Sequence, residues 1–67
     1  MPTEPLRLLP LREVSSQTRL RKTQIYAGIK KHTFPAPVKL GPRASAWVSE
    51  EIQGWIAERI AERDARG

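Results

Sequence analysis

The run Phe34-Pro35-Ala36-Pro37 divides the 67-residue chain into two parts that cannot share one helix. Each proline removes a backbone donor and pushes the residue before it toward extended geometry, so a helix entering from the N-terminal side must stop near His32. What precedes the break has helical spacing. Pro10 suits a first helical turn, where its missing N–H loses nothing. Leu11 and Val14, at i and i+3, then give a buried side to a helix through about Gln17, with Glu13 well placed for the helix dipole. A second helix is expected from about Lys22 to Lys31, with Ile25, Tyr26 and Ile29 on its apolar face and Thr23, Gln24, Ala27 and Lys30 turned away from it. Gly28 weakens that helix by about 1 kcal/mol relative to alanine. A close passage of another backbone would explain it, and simple tolerance is the alternative.

After the break the period changes. Val38-Lys39-Leu40 and Ala44 to Val48 read as strands of period two joined by Gly41-Pro42-Arg43, which makes a hairpin with Arg43 at or near its tip. Ser49 is the expected N-cap of a last helix, with Glu50 and Glu51 in its dipole-favoured first turn and Ile52, Trp55, Ile56 and Ile60 as its stripe. Past about Ala61 the like-charged i,i+4 pairs Glu58/Glu62 and Arg59/Arg63 predict fraying. Leu6 and Leu8 fit a short extended piece upstream, and Tyr26, Trp47 and Trp55 are assigned to the core. The expected organisation is a flexible arm at 1–5, one domain at 6–61 and a frayed tail at 62–67, mainly α with three helices and a two-stranded hairpin.

Several classes of function are disfavoured. A chain of this length buries only about 60% of the surface its unfolded form exposes, which leaves little room for an elaborate active site. There is no cysteine and His32 is the only histidine, so a zinc site with its usual three or four protein ligands is not expected. The serines at 15, 16, 45 and 49 have no second histidine to serve them as nucleophiles. Gly41-Pro42-Arg43 lacks the further glycines and the Lys-Ser/Thr of a phosphate-cradling loop. No apolar run approaches the roughly 20 residues that cross a bilayer, and Met1 to Pro10 lacks the features of a signal peptide. The expectation is no catalysis, no cofactor, no metal, no small-molecule substrate, no membrane, and a cytoplasmic, nucleoid-associated location.

Charge points elsewhere. Residues 1–43 hold nine Lys or Arg against two Glu, whereas residues 44–67 hold three Arg against five acids. A basic balance alone suits any polyanion, so placement must decide. Glu13 to Tyr26 reads as two short helices about a sharp turn, with Val14, Leu20 and Ile25 fixing the angle between them and polar side chains opening the second. That is the arrangement by which a helix-turn-helix offers donors and acceptors to the major groove. Arg19, Arg21 and Lys22 crowd the turn, and Lys39 and Arg43 sit on the hairpin.

The strings RLLPLREV, LRKTQIY, FPAPVKLG and PRASAWVSEEIQGWI together resemble the AlpA family of small phage-type transcriptional regulators, relatives of the excisionases and of MerR-like winged-helix DNA binders, from about Leu6 to Ala57. The resemblance implies a MerR-like winged helix-turn-helix that binds specific double-stranded DNA near promoters or attachment sites of integrated elements. The family's turn resembles T-G-L-S-R-S-T-I-Y, which falls on residues 18–26. Here Arg19 replaces the turn glycine, at about 1 kcal/mol or more of strain if φ is positive there. Arg21 replaces the serine cap, losing roughly 1 kcal/mol unless Thr23 caps a later start. Gln24 stands for a threonine and Ala27 for a frequent arginine.

The expected reading follows. Lys22, Thr23 and Gln24 meet the bases, with Gln24 suited to adenine and Lys22 to guanine. Arg43 on the wing meets phosphate or a narrow minor groove, and Arg19, Arg21, Lys30 and Lys39 hold the backbone. Candidate partners beyond the duplex are a second copy on DNA, RNA polymerase or a recombinase. The rival readings are an architectural excision factor that bends DNA and, from another class, an antirepressor-like module whose basic face meets an acidic protein.

Overall fold

The computed structural model describes residues 7–66, so the expected arm at 1–5, Leu6 and the last residue of the expected tail lie outside the described residues. The elements run β1 (Leu8–Leu9), α1 (Leu11–Thr18), α2 (Lys22–Lys30), β2 (Val38–Gly41), β3 (Ala44–Val48) and α3 (Ser49–Ala65). They form the mainly helical frame with an antiparallel hairpin that the hydrophobic periods require, a winged helix-turn-helix.

Each apolar stripe ends in one core. Leu9, Val14, Ile25, Phe34, Trp47 and Ile52 are buried together, and Leu11, Leu20, Ile29, Trp55 and Ile56 pack around them. α1, α2, β3 and α3 each contribute one fully enclosed residue, Val14, Ile25, Trp47 and Ile52, each stabilising by about 1.5–3 kcal/mol relative to an exposed position. Two tryptophans also pin the proline-rich break, where no regular hydrogen bonding is available. The Trp47 indole donates to the Pro35 carbonyl at 3.0 Å and the Trp55 indole to the Thr33 carbonyl at 2.9 Å. Phe34 packs edge-on to Trp55, with ring centroids 5.0 Å apart.

The close passage at Gly28 is real. A Cβ there would lie 2.9 Å from the Phe34 Cβ and 3.3 Å from the Thr33 hydroxyl, so the loop crosses the helix end where only glycine fits. The helix itself closes on His32 at φ 63, with Thr33 N–H donating to Gly28 O at 2.8 Å and His32 N–H to Ile29 O at 3.1 Å. This is a Schellman ending with histidine where glycine is usual.

Several expectations need correction. The sheet has three strands in the order β1-β3-β2, because Leu8 and Leu9 pair antiparallel with Val48 and Trp47. Ser49 does not cap α3: Val48 holds the N-cap position, no side-chain cap bond forms, and the Ser49 amide donates to the Arg7 carbonyl at 2.8 Å. β3 runs straight into α3, so the first amide is used by the sheet. Tyr26 is 43% exposed rather than a core residue. Ile25 beside it occupies the core, and neighbours on a helix lie about 100° apart. α3 runs to Ala65, through the stretch whose like-charged pairs predict fraying. The i,i+4 repulsions are there, but Arg59 turns to Glu62 at i+3, at 2.7 Å. Ile60, the last residue of the expected stripe, is 46% exposed.

Candidate nucleic-acid interface

The turn between α1 and α2 is fixed by side chains whose chemistry the helical pattern does not reveal. Thr18 Oγ1 donates to the Val14 carbonyl at 2.8 Å and accepts from the Leu20 amide at 3.3 Å, while Ser15 Oγ donates to the Leu20 carbonyl at 2.6 Å. Together they tie the backbone of Leu20 back to the last turn of α1. Arg19 sits between them at φ 65, ψ 18, its amide donating to the Ser15 carbonyl at 2.8 Å. The position does require left-handed backbone, and an arginine occupies it at a strain of about 1 kcal/mol. Ser15 and Thr18 are thus part of the site's scaffold. The signal for them was hydroxyls in the last turn of a helix, where they back-bond readily.

α2 starts at Lys22, with Arg21 as its N-cap in extended geometry, so Thr23 does not cap a later start. An arginine side chain has no acceptor to offer the helix amides. Only the return half of a capping box forms, with Gln24 Oε1 accepting from the Arg21 N–H at 2.8 Å. This gives Gln24 a structural task alongside its candidacy as a base reader. Its carboxamide oxygen keeps a second lone pair and its NH₂ keeps both protons.

Lys22, Thr23, Gln24, Arg19 and Arg21 are all exposed and contiguous around the turn. Thr23, Ala27 and Lys30 follow at i, i+4 and i+7, so Lys30 extends the same helical face by about 10 Å and is exposed too. Lys39 and Arg43 lie on a separate element. β2 and β3 pair through Val38–Ala46, Lys39–Ser45 and Gly41–Ala44, which leaves Pro42 and Arg43 as the turn, with Arg43 exposed. The hairpin is joined to α2 through Tyr26, whose ring centroid lies 6.4 Å from that of Trp47 on β3.

The charge arrangement separates these residues from the rest. Among the described residues, ion pairs are confined to α3, where Arg59 meets Glu58 and Glu62 and Arg63 meets Asp64. No carboxylate among the described residues pairs with a basic residue of the turn, α2 or the hairpin. Among the described residues no group of three His, Cys, Asp or Glu side chains is placed to hold a metal ion, and no helix is long and apolar enough to cross a membrane.

Comparison with known proteins agrees with this frame. The chain is 40% identical over 57 residues to a protein of Enterobacteria phage P4 described as "Uncharacterized protein ORF88". The match covers 85% of this chain and 65% of that relative, a little under two thirds of its length. No solved structure matches the chain significantly. Residues 7–60 fit the family described as the prophage CP4-57 regulatory protein, AlpA. The chain therefore belongs to the AlpA family of prophage-associated regulators.

Proposed function

We propose that the protein is a sequence-specific double-stranded DNA-binding regulator of a prophage or other integrated element, acting in the cytoplasm on the nucleoid. The observation that carries this reading is the cationic rim of Arg19, Arg21 and Lys22, exposed and paired with no carboxylate among the described residues, on a hydrogen-bonded turn at the start of α2. Bare cations release counterions from a duplex when they meet phosphate, a driving force that a self-paired surface cannot supply.

In this reading α2 enters the major groove. Gln24 turns its NH₂ and its free lone pair to adenine, Lys22 donates to guanine, and Thr23 lies between them. Arg43 meets phosphate or a narrow minor groove on the wing, while Arg19, Arg21, Lys30 and Lys39 hold the backbone. The exposed Tyr26 adds a hydroxyl within the same helix. A domain of this size covers few base pairs, so useful specificity calls for two or more copies side by side. The chain is expected to be a monomer that associates on its operator, with RNA polymerase or a recombinase as further partners.

Electrophoretic mobility shift with duplexes selected from random DNA tests the reading. Gln24→Ala is expected to relax preference at one base pair, whereas Arg43→Ala weakens binding to all sequences and lowers the salt slope by about one. If neither change alters binding, the docking arrangement is wrong. If the unaltered chain gives no specific shift at physiological salt, an acidic protein becomes the better partner for its basic surface.

A further inference from the structure

The wing carries a residue that the hairpin ladder leaves out. Lys39 stands opposite Ser45 and Gly41 opposite Ala44, so β2 advances two residues while β3 advances one, and Leu40 has no partner across the ladder. Such a bulge kinks a strand and re-aims the extra side chain. Leu40 is 57% exposed, more than any other large hydrophobic residue among those described. An exposed leucine alone is ordinary. This one follows the cation Lys39, lies three residues before Arg43 and stands at the outer end of a hairpin.

An apolar side chain flanked by cations has the composition of a minor-groove wedge. The cations hold phosphates on either side while the apolar group enters a base step, unstacks it and bends the duplex toward the major groove. Pyrimidine–purine steps unstack most easily, so a wedge selects sequence at a position where no hydrogen bond reads a base. We infer that Leu40 is such a wedge and that the protein kinks the DNA it binds at the step met by the wing. The inference rests on the DNA-binding reading above and adds to it a deformation that the helix alone does not require.

The test uses the full chain and duplexes it selects from random DNA, carrying a fluorophore pair at their ends and 2-aminopurine placed in turn at each position of the bound site. The unaltered protein is expected to shorten the end-to-end distance and to raise 2-aminopurine fluorescence at one step. Leu40→Ala should abolish both signals and lower affinity about tenfold, the factor corresponding to 1.4 kcal/mol, while keeping the salt slope. Arg43→Ala should lower the slope by about one yet still unstack the step at saturating protein. Thermal melts that match the unaltered chain establish that Leu40→Ala is folded, as expected for an exposed side chain. Binding by the unaltered protein with no bend and no fluorescence change, or signals that survive Leu40→Ala, overturns the wedge and leaves the DNA-binding reading standing. Failure of the unaltered protein to select any duplex overturns the DNA-binding reading, and the wedge falls with it.

Discussion

Along α3, Arg59 reaches Glu62 at 2.7 Å and Glu58 at 3.8 Å and Arg63 reaches Asp64 at 2.9 Å, whereas Lys22 and Lys30 of α2, like Arg19 and Arg21 in the turn before it, meet no carboxylate among the described residues. The longer helix pairs both of its arginines within its own turns and runs for 17 residues. The shorter one has 9 residues, below the roughly 12–15 at which an isolated helix is even marginal, so its stability must come from packing. That packing passes through few points: Ile25 is fully buried, Ile29 is half-buried, and Phe34 closes over Gly28. A helix held from behind in this way keeps its outer face and its cations free for a partner.

The largest effect should come from the residue that anchors α2. Ile25→Ala is expected to cost about 2–5 kcal/mol, as for other fully enclosed aliphatic residues. In a domain this small that is enough to unfold a substantial fraction of molecules without denaturant. Ile60→Ala, on a half-exposed site of α3, should cost less than about 1 kcal/mol on the scale of area removed from water. Urea denaturation followed by circular dichroism measures both. An Ile60→Ala cost that equals that of Ile25→Ala and grows with protein concentration would mean a second copy covers α3 in solution, against the monomer expected in the absence of DNA.

The two helical glycines sharpen the same contrast. At Gly28 an added methyl meets the Phe34 Cβ at 2.9 Å, and neither atom is at the end of a flexible side chain. Gly28→Ala should therefore cost about 1–3 kcal/mol by overpacking, despite the better helix propensity of alanine. At Gly54 an added methyl meets nothing within 4 Å, so Gly54→Ala should gain about 0.5–1 kcal/mol from propensity alone. Opposite signs for one chemical change, read from thermal melts, are the expected result. Equal signs would mean that the loop over α2 yields more readily than its packing suggests.

The contrast also marks what the chain discloses before its fold is known. The Pro35 and Pro37 break, the period-two run before Trp47 and the Ile52-to-Ile56 stripe each depend on local geometry, and each leads to its element. The strand at Leu8 and Leu9 does not, because two residues become a strand only when Val48 and Trp47, far along the chain, arrive beside them. The indole bonds to Pro35 and Thr33 and the bulge at Leu40 are likewise facts of register and tertiary approach. Gly28 stands between these cases: the residue invites the question of close approach, and only Phe34 answers it. At the candidate site, the exposure of Thr23, Gln24 and Lys30 followed from the helical period, whereas left-handed backbone at Arg19 was only a condition attached to the resemblance, in which a glycine holds that position. The bond from the Arg21 amide to Gln24 did not, since a capping residue is expected to supply the acceptor itself.

The smallest effects concern charge, and they separate strain from function. Arg19→Gly removes a side chain from a left-handed position, φ 65, and should stabilise the fold by about 1 kcal/mol. If the basic turn meets phosphate, the same change lowers the slope of log affinity against log salt by about one. A residue that costs stability where it stands and contributes to binding is what a functional site retains against folding. Glu62→Gln removes the nearer of the two carboxylates that Arg59 reaches, in a pair partly open to water, so the loss should not exceed about 0.5 kcal/mol. Its effect on the salt slope is the finer measurement. Should α3 lie away from the duplex, the slope stays unchanged although Arg59 has lost its nearer carboxylate. A slope that steepens would place the end of α3 against phosphate and remove the distinction between a helix that satisfies its own charges and one that keeps them for DNA.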